Sequence, residues 1–153
     1  MLGSIARKLR IFGYDTLYFE EDDSTIERVA KSQGRVILTS DKGLAAHADR
    51  RGIAVINVKG RTDKARLAVV FRRARIEANP SASRCAVCNG VLERSGREEA
   101  RSAGLPERVV ELHRFFCRCT SCSKFYWKGK HWDRLRRLSA GLRQRDASRA
   151  VPN

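Results

Sequence analysis

Two Cys-x-x-Cys pairs, Cys85-Ala-Val-Cys88 and Cys119-Thr-Ser-Cys122, stand thirty residues apart in this chain. Thiolates are soft ligands, and four of them close a tetrahedron around zinc at about 2.3 Å, with no open position for catalysis. Two short knuckles supply two ligands each, and the gap between them is long enough for a small β-hairpin insert. The pattern therefore implies one structural Zn2+ held by Cys85, Cys88, Cys119 and Cys122. Cys117 is left over, since its longer spacing to Cys122 makes a poorer knuckle than Cys119 does. His131 is a further nitrogen ligand type, but four cysteines already complete the shell, which leaves it as a polar surface or nucleic-acid-contacting group.

The second knuckle runs directly into Lys124-Phe-Tyr-Trp-Lys-Gly-Lys-His-Trp132. Aromatic rings stack on unpaired bases and ammonium groups neutralise phosphates, so Lys128, Lys130 and His131 are candidate nucleic-acid contacts. The same aromatics also suit the core of a small ribbon; some rings are expected inward, with Lys128 and Lys130 outward. Charge points the same way. Lysine and arginine number 32 against 17 acidic residues, a net +15. The 16 basic and 10 acidic residues before Pro80 leave +6, and the 16 basic and 7 acidic residues after it leave +9. Such an excess favours a polyanion, because each neutralised phosphate releases counterions. Arg134, Arg136, Arg137, Arg143 and Arg145 extend it, though a solvated helix face explains them nearly as well.

Two carboxylates form a second candidate site. Asp41 follows the apolar run Val36-Ile-Leu-Thr39, and Asp23 follows Tyr14 to Phe19. In an open parallel sheet, catalytic groups collect beyond the carboxyl ends of strands. Oxygen ligands there suit Mg2+ or Mn2+, which activate water and stabilise a leaving oxygen. On spacing alone, the simpler explanation of each aspartate is a helix N-cap.

The elements that would position these groups follow from periodicity. Leu2, Ile5, Ala6, Leu9 and Phe12 recur at helical spacing before Gly13, and Tyr14 to Phe19 reads as a strand. A helix capped by Asp23 or Ser24 would carry Ile26, Val29 and Ala30 inward and end at Gly34. Strands over 35–39 and 53–58 flank a third helix, starting at Ser40-Asp41, with Leu44, Ala45 and Ala48 inward. Leu67, Val70, Phe71 and Ala74 mark a fourth helix. Alternating helices and strands imply a parallel sheet. Asn79-Pro-Ser-Ala-Ser83 reads as a linker, followed by the cysteine module and, from Asp133 onward, a basic helix marked by Leu135, Leu138 and Leu142. No run reaches the ~18 apolar residues of a membrane span, and the N-terminus does not read as a secretory signal. Paired Cys-x-x-Cys motifs then indicate metal rather than disulfides, and a cytoplasmic location is the simplest one. No strand is followed by a glycine-rich phosphate loop.

Five blocks in order carry a family resemblance. Leu2-Gly-Ser-Ile-Ala-Arg-Lys-Leu-Arg-Ile-Phe-Gly-Tyr-Asp-Thr16 resembles the opening motif of the Mut-seven C-terminal RNase domain family, PIN-like nucleases with a zinc ribbon. Asp23-Ser-Thr-Ile-Glu-Arg-Val-Ala30 and Arg35-Val-Ile-Leu-Thr-Ser-Asp41 resemble its later acidic motifs. Ser83-Arg-Cys-Ala-Val-Cys-Asn89 and 119–132 are similar to its ribbon. The resemblance implies a PIN-like, three-layer α/β domain over 1–79, a zinc ribbon over 83–132 and a basic helix and tail over 133–153. It implies that Asp23 and Asp41 are metal-binding catalytic carboxylates, against the capping explanation, and that Arg7 and Arg10 contact substrate. Lys8, Ser40 and Lys130 depart from the family pattern. Members usually have a strand ending in an aspartate just before the Met-Leu-Gly; the expectation is a truncated first strand, with the true start upstream of Met1.

The function expected is a metal-dependent ribonuclease using Mg2+ or Mn2+, with a zinc ribbon gripping RNA or single-stranded DNA. The alternative, which gains if the chain truly starts at Met1, is a non-catalytic nucleic-acid-binding protein on the same scaffold.

Overall fold

A computed structural model of the chain describes residues 2–147. Among them, two compact units form, and they do not follow the chain linearly. The first comprises residues 2–6, 17–78 and 142–147; the second comprises Arg7–Thr16 and Asn79–Gly141. The fold class is mixed α/β, with a small parallel sheet in the first unit and a separate antiparallel sheet in the second.

The first helix, α1 (Gly3–Ile11), starts in the first unit and ends in the second. Its end is set by Gly13, at φ 95°. The Gly13 N–H donates to the Arg10 carbonyl and the Tyr14 N–H to the Leu9 carbonyl, the paired bonds of a Schellman motif. A side chain on Gly13 would also meet the Ala82 carbonyl oxygen at 3.1 Å, so conformation and space both select glycine there.

In the first unit, α2 (Asp23–Gln33), β1 (Ile37–Thr39), α3 (Lys42–Arg50), β2 (Val55–Asn57) and α4 (Asp63–Ala74) follow in turn. The strands pair in parallel, with Ile37 opposite Val55 and Thr39 opposite Asn57. Ala30, Ile37, Leu44, Ala48 and Ile53 form one buried cluster, packed by Ile26 and Val55. These are the inward positions that helical and strand periodicity select. The α4 face of Leu67, Val70 and Phe71 is also buried, and Thr62 caps that helix by accepting from the Ala65 N–H.

Tyr14 to Phe19 does not form the expected strand: 14–20 has no regular structure. Its backbone groups are consumed elsewhere. The Thr16 N–H donates to Asn89 Oδ1 at 3.1 Å, and the Thr16 carbonyl accepts from Arg10 Nε at 2.8 Å. With those groups taken, a ladder through Thr16 cannot form. The expected strands over 35–39 and 53–58 also shorten to three residues each.

A buried carboxylate joins α2 to α3. Glu27 is 3% exposed, with Oε1 2.6 Å from His47 Nδ1 and Oε2 2.8 Å from Arg51 Nη1. The His47 hydrogen bond is the main cause that holds its carboxyl below the ordinary 4.5, against the opposing effect of burial. A depressed value means that Glu27 stabilises the fold above pH 4.5, and that this contribution is lost as pH falls through the lowered value. Glu27→Gln should therefore lower the thermal midpoint at neutral pH and flatten its decline below pH 4.5. Melting curves of both proteins across that range check this; parallel declines would remove Glu27 as the cause.

The second unit is built on a three-stranded antiparallel sheet, β3 (Leu92–Ser95), β4 (Phe116–Cys119) and β5 (Phe125–Trp127), in that order. Between β3 and β4 the insert is not a bare hairpin but carries two short helices, α5 (Arg97–Ser102) and α6 (Glu107–Leu112). Ala100, Val110 and Phe116 form the buried cluster here, with Leu105, Val109 and Phe125 against it. The last helix, α7 (Lys130–Ala147), begins inside the aromatic and basic run, which is thus divided between a strand and a helix at Gly129. The side chains of Lys130 and His131, and of Leu142, Arg143 and Arg145, lie outside the described ones. No helix among the described residues is long and apolar enough to cross a membrane.

Candidate functional site

The two cysteine knuckles repeat one backbone design. In the first, the Asn89 N–H donates to the Cys85 carbonyl and the Cys85 N–H to the Gly90 carbonyl; in the second, the Ser123 N–H donates to Cys119 and the Cys119 N–H to Lys124. Asn89 and Ser123 occupy the left-handed region, at φ 69° and 60°. That turn brings the paired sulfurs of each knuckle to one side. The sequence signal for the first is Asn89, a type that tolerates this conformation; Ser123 carries no such signal.

All four Sγ atoms lie within 4.8 Å of one another. Cys85 to Cys122 is 3.6 Å and Cys88 to Cys119 is 3.4 Å. A tetrahedron with 2.3 Å metal–sulfur bonds has sulfurs about 3.8 Å apart, so the quartet has the size zinc requires. Cys85 and Cys119 are buried, Cys88 and Cys122 exposed. The charges conflict until a cation is shared. Burial pushes the Cys85 thiol up, but the Cys88 N–H, the Tyr126 hydroxyl and further donors outweigh it and bring it to about 6. For Cys88 the Gly90 N–H favours the thiolate, yet the neighbouring cysteines push it up to about 12. A dication removes that repulsion, and the donor set fits Zn2+. Cys117 lies outside the quartet, on β4 between Arg94 and Tyr126.

The surrounding shell includes residues not singled out in the sequence. The Tyr126 hydroxyl lies 3.0 Å from Cys85 Sγ, so this ring serves the cysteines and not a base. Asn89, 8% exposed, donates through Nδ2 to Asp15 Oδ1 at 2.6 Å. Arg10, expected to reach nucleic acid, is instead 7% exposed; its Nη1 donates to the carbonyls of Ala86 at 3.1 Å and Val87 at 2.9 Å. The cause is geometric: a planar guanidinium satisfies several knuckle carbonyls that the tight turn leaves unpaired. Arg10→Ala should lower stability by about 3–6 kcal/mol, the scale of the two charged hydrogen bonds to the knuckle, and speed zinc loss to a competing chelator. Unchanged melting and zinc release would show that the knuckle needs no such support. Arg7 is exposed.

On the sheet, Trp127 is 41% exposed, with Phe116 and His113 centroids each 6.3 Å from its ring. Phe125 turns toward the buried cluster. Lys128 is exposed, its Nζ 5.2 Å from the Trp132 ring centroid, a cation–π distance.

The two aspartates of the first unit differ. Asp23 is exposed and does not cap α2, as one of the expected alternatives required; Asp22 does, accepting from the Thr25 N–H at 3.1 Å. Bonds from Ser24, Thr25 and the backbone draw Asp22 down to about 2, the Ser24 hydroxyl foremost. Asp23 is thereby released from the helix end. Asp41 does cap: Oδ1 accepts from Gly43 at 2.5 Å and Leu44 at 3.0 Å. A Cβ on Gly43 would stand 3.1 Å from that oxygen, so glycine permits the approach. Both of these bonds use Oδ1 of Asp41, and its Oδ2 takes no part in them. Asp41 lies just past the carboxyl end of β1, where its N–H donates to Thr39 Oγ1 at 3.0 Å and Asn57 Nδ2 approaches its carbonyl at 3.4 Å. Asn57 escapes sequence reasoning because only the parallel register brings it beside Thr39. Among the described residues, neither aspartate belongs to a group of three or more potential metal ligands.

A family model described as "Mut7-C RNAse domain" matches residues 1–139. No curated protein and no solved structure matches the chain.

Proposed function

The chain belongs to the Mut7-C RNAse domain family, and from that premise we propose that it is a metal-dependent ribonuclease with a zinc ribbon that grips RNA. Membership along residues 1–139 carries this reading, because it gives a nuclease, RNA-related role to a chain whose charge already favours a polyanion. In this reading the α/β half is a PIN-like layered domain, and Asp23 and Asp41 hold Mg2+ or Mn2+. Hard cations of this kind commonly use one or two carboxylates plus substrate phosphate, a donor set that an exposed Asp23 and the uncapped oxygen of Asp41 suit. The bound metal would supply water activation and stabilise the leaving oxygen of the phosphodiester.

The protein's own groups orient that chemistry. The α3 N–H groups fix Asp41 Oδ1, so the carboxylate is aligned without reorganisation. Asn57 and Thr39 brace the backbone that carries it. In the second unit, Cys85, Cys88, Cys119 and Cys122 would hold Zn2+, and exposed Trp127 and Lys128 offer a stacking face and a charge to single-stranded RNA. Arg7 is a further phosphate contact, and a cytoplasmic setting suits the reduced thiols.

A second reading is non-catalytic RNA binding on the same scaffold. The observation favouring it is that Asp23 and Asp41 gather no third ligand among the described residues. Cleavage of defined RNAs with added Mn2+ or Mg2+, in parallel with Asp41→Asn, separates the two. Binding without cleavage under every metal condition selects the second reading.

A further inference from the structure

A cavity of about 500 Å3 opens along α2, within the size range of ligand sites. Ser24, Arg28, Lys31 and Ser32 line it from one stripe of the helix, and Arg51 faces them. Its one carboxylate is Glu27, which is buried and already paired with His47 and Arg51. That pairing cancels the negative charge and pins one arm of the Arg51 guanidinium. The Arg28 and Lys31 side chains are exposed and, among the described residues, make no ion pair or hydrogen bond. Glu27 stands four residues before Lys31, the spacing at which a carboxylate usually balances a helix cation, but it is spent on His47 and Arg51, so Arg28 and Lys31 line one concavity unpaired, beside an arginine fixed in place.

We propose that this cavity is a phosphodiester-binding subsite, in which Arg28 and Lys31 neutralise backbone phosphates of single-stranded RNA and the arm of Arg51 not bound to Glu27 donates to them. The inference rests on the RNA-directed reading above and adds a track to it. The stripe starts at Ser24, one residue beyond Asp23, and runs about 10 Å to Lys31, so a strand lying on it passes from the acidic residues along α2. Phosphate contacts of this kind carry no base information.

The test is a salt titration of binding to a labelled single-stranded RNA, with zinc-loaded full-length protein and no added Mg2+ or Mn2+. Arg28→Ala/Lys31→Ala is compared with wild type and with Arg72→Ala/Arg73→Ala, which removes equal charge from exposed positions on α4 outside this cavity. Loss of two phosphate contacts should reduce the slope of log K against log salt by about 1.4 and weaken binding alike across RNA sequences. The α4 pair should leave the slope near wild type. Thermal midpoints should not move, because neither α2 residue holds another group. An unchanged slope in the α2 pair, or an equal fall in both pairs, overturns the subsite. Failure of the wild-type protein to bind RNA would overturn the RNA-directed reading itself, and the subsite with it.

Discussion

Asp41→Asn is expected to reduce RNA cleavage more than ~100-fold while leaving the fold and RNA binding in place. The size follows from removing a direct metal ligand, since loss of outer-shell partners alone commonly costs 10–100-fold. The choice of asparagine follows from the geometry. Asp41 Oδ1 caps α3, and asparagine caps about as well as aspartate, so the variant removes charge without removing the cap. Alanine at the same position would also sacrifice the cap, at about 1 kcal/mol, and would confuse catalysis with stability. The α2 end supplies a matched contrast. Asp22→Ala should lower the thermal midpoint and spare cleavage, whereas Asp23→Asn should spare stability and lose cleavage, because capping belongs to Asp22. Turnover by Asp41→Asn at the wild-type rate would remove the nuclease assignment.

Removing zinc should unfold the second unit's sheet. Its buried apolar cluster is small: Ala100, Val110 and Phe116. Val110 and Phe116 contribute about 1.5–3 kcal/mol each, whereas structural zinc sites supply about 10–16 kcal/mol. A bound zinc would therefore add more than that cluster to what holds β3, β4, β5 and the two knuckles. Elemental analysis should give one zinc per chain, and a strong chelator should abolish the near-UV signal of Phe116 and Trp127, with recovery on adding zinc back. Cys119→Ser should lose the metal, while Cys117→Ser should keep it, since Cys117 is outside the quartet. A metal-free protein with intact near-UV dichroism would refute the assignment.

The two sites differ in how much of them could be read without the fold. Each knuckle is a local structure, and its spacing alone brings two sulfurs together, so the cysteine quartet was legible from residue types and counts. The inward faces of α2 and α3 were legible for a similar reason: Ala30, Leu44 and Ala48 repeat with the helix period, and burial follows period. The family, too, was written in the order of five blocks. The proposed acidic site was legible only by resemblance, because an aspartate before a helix reads the same whether it caps or binds metal.

What required tertiary structure was the assignment of competing partners. Asp22 rather than Asp23 caps α2, Arg10 turns into the first knuckle, and Thr16 bonds to Asn89 and Arg10 instead of to a neighbouring strand. Glu27 gives no sign in the sequence that it will be buried between His47 and Arg51, 20 and 24 residues away. Local spacing by itself determined which atoms could become ligands and which faces could be buried. Only the fold decided which polar groups were already spent on one another, because a donor or acceptor taken by a distant partner is no longer available for a strand, a cap or a phosphate.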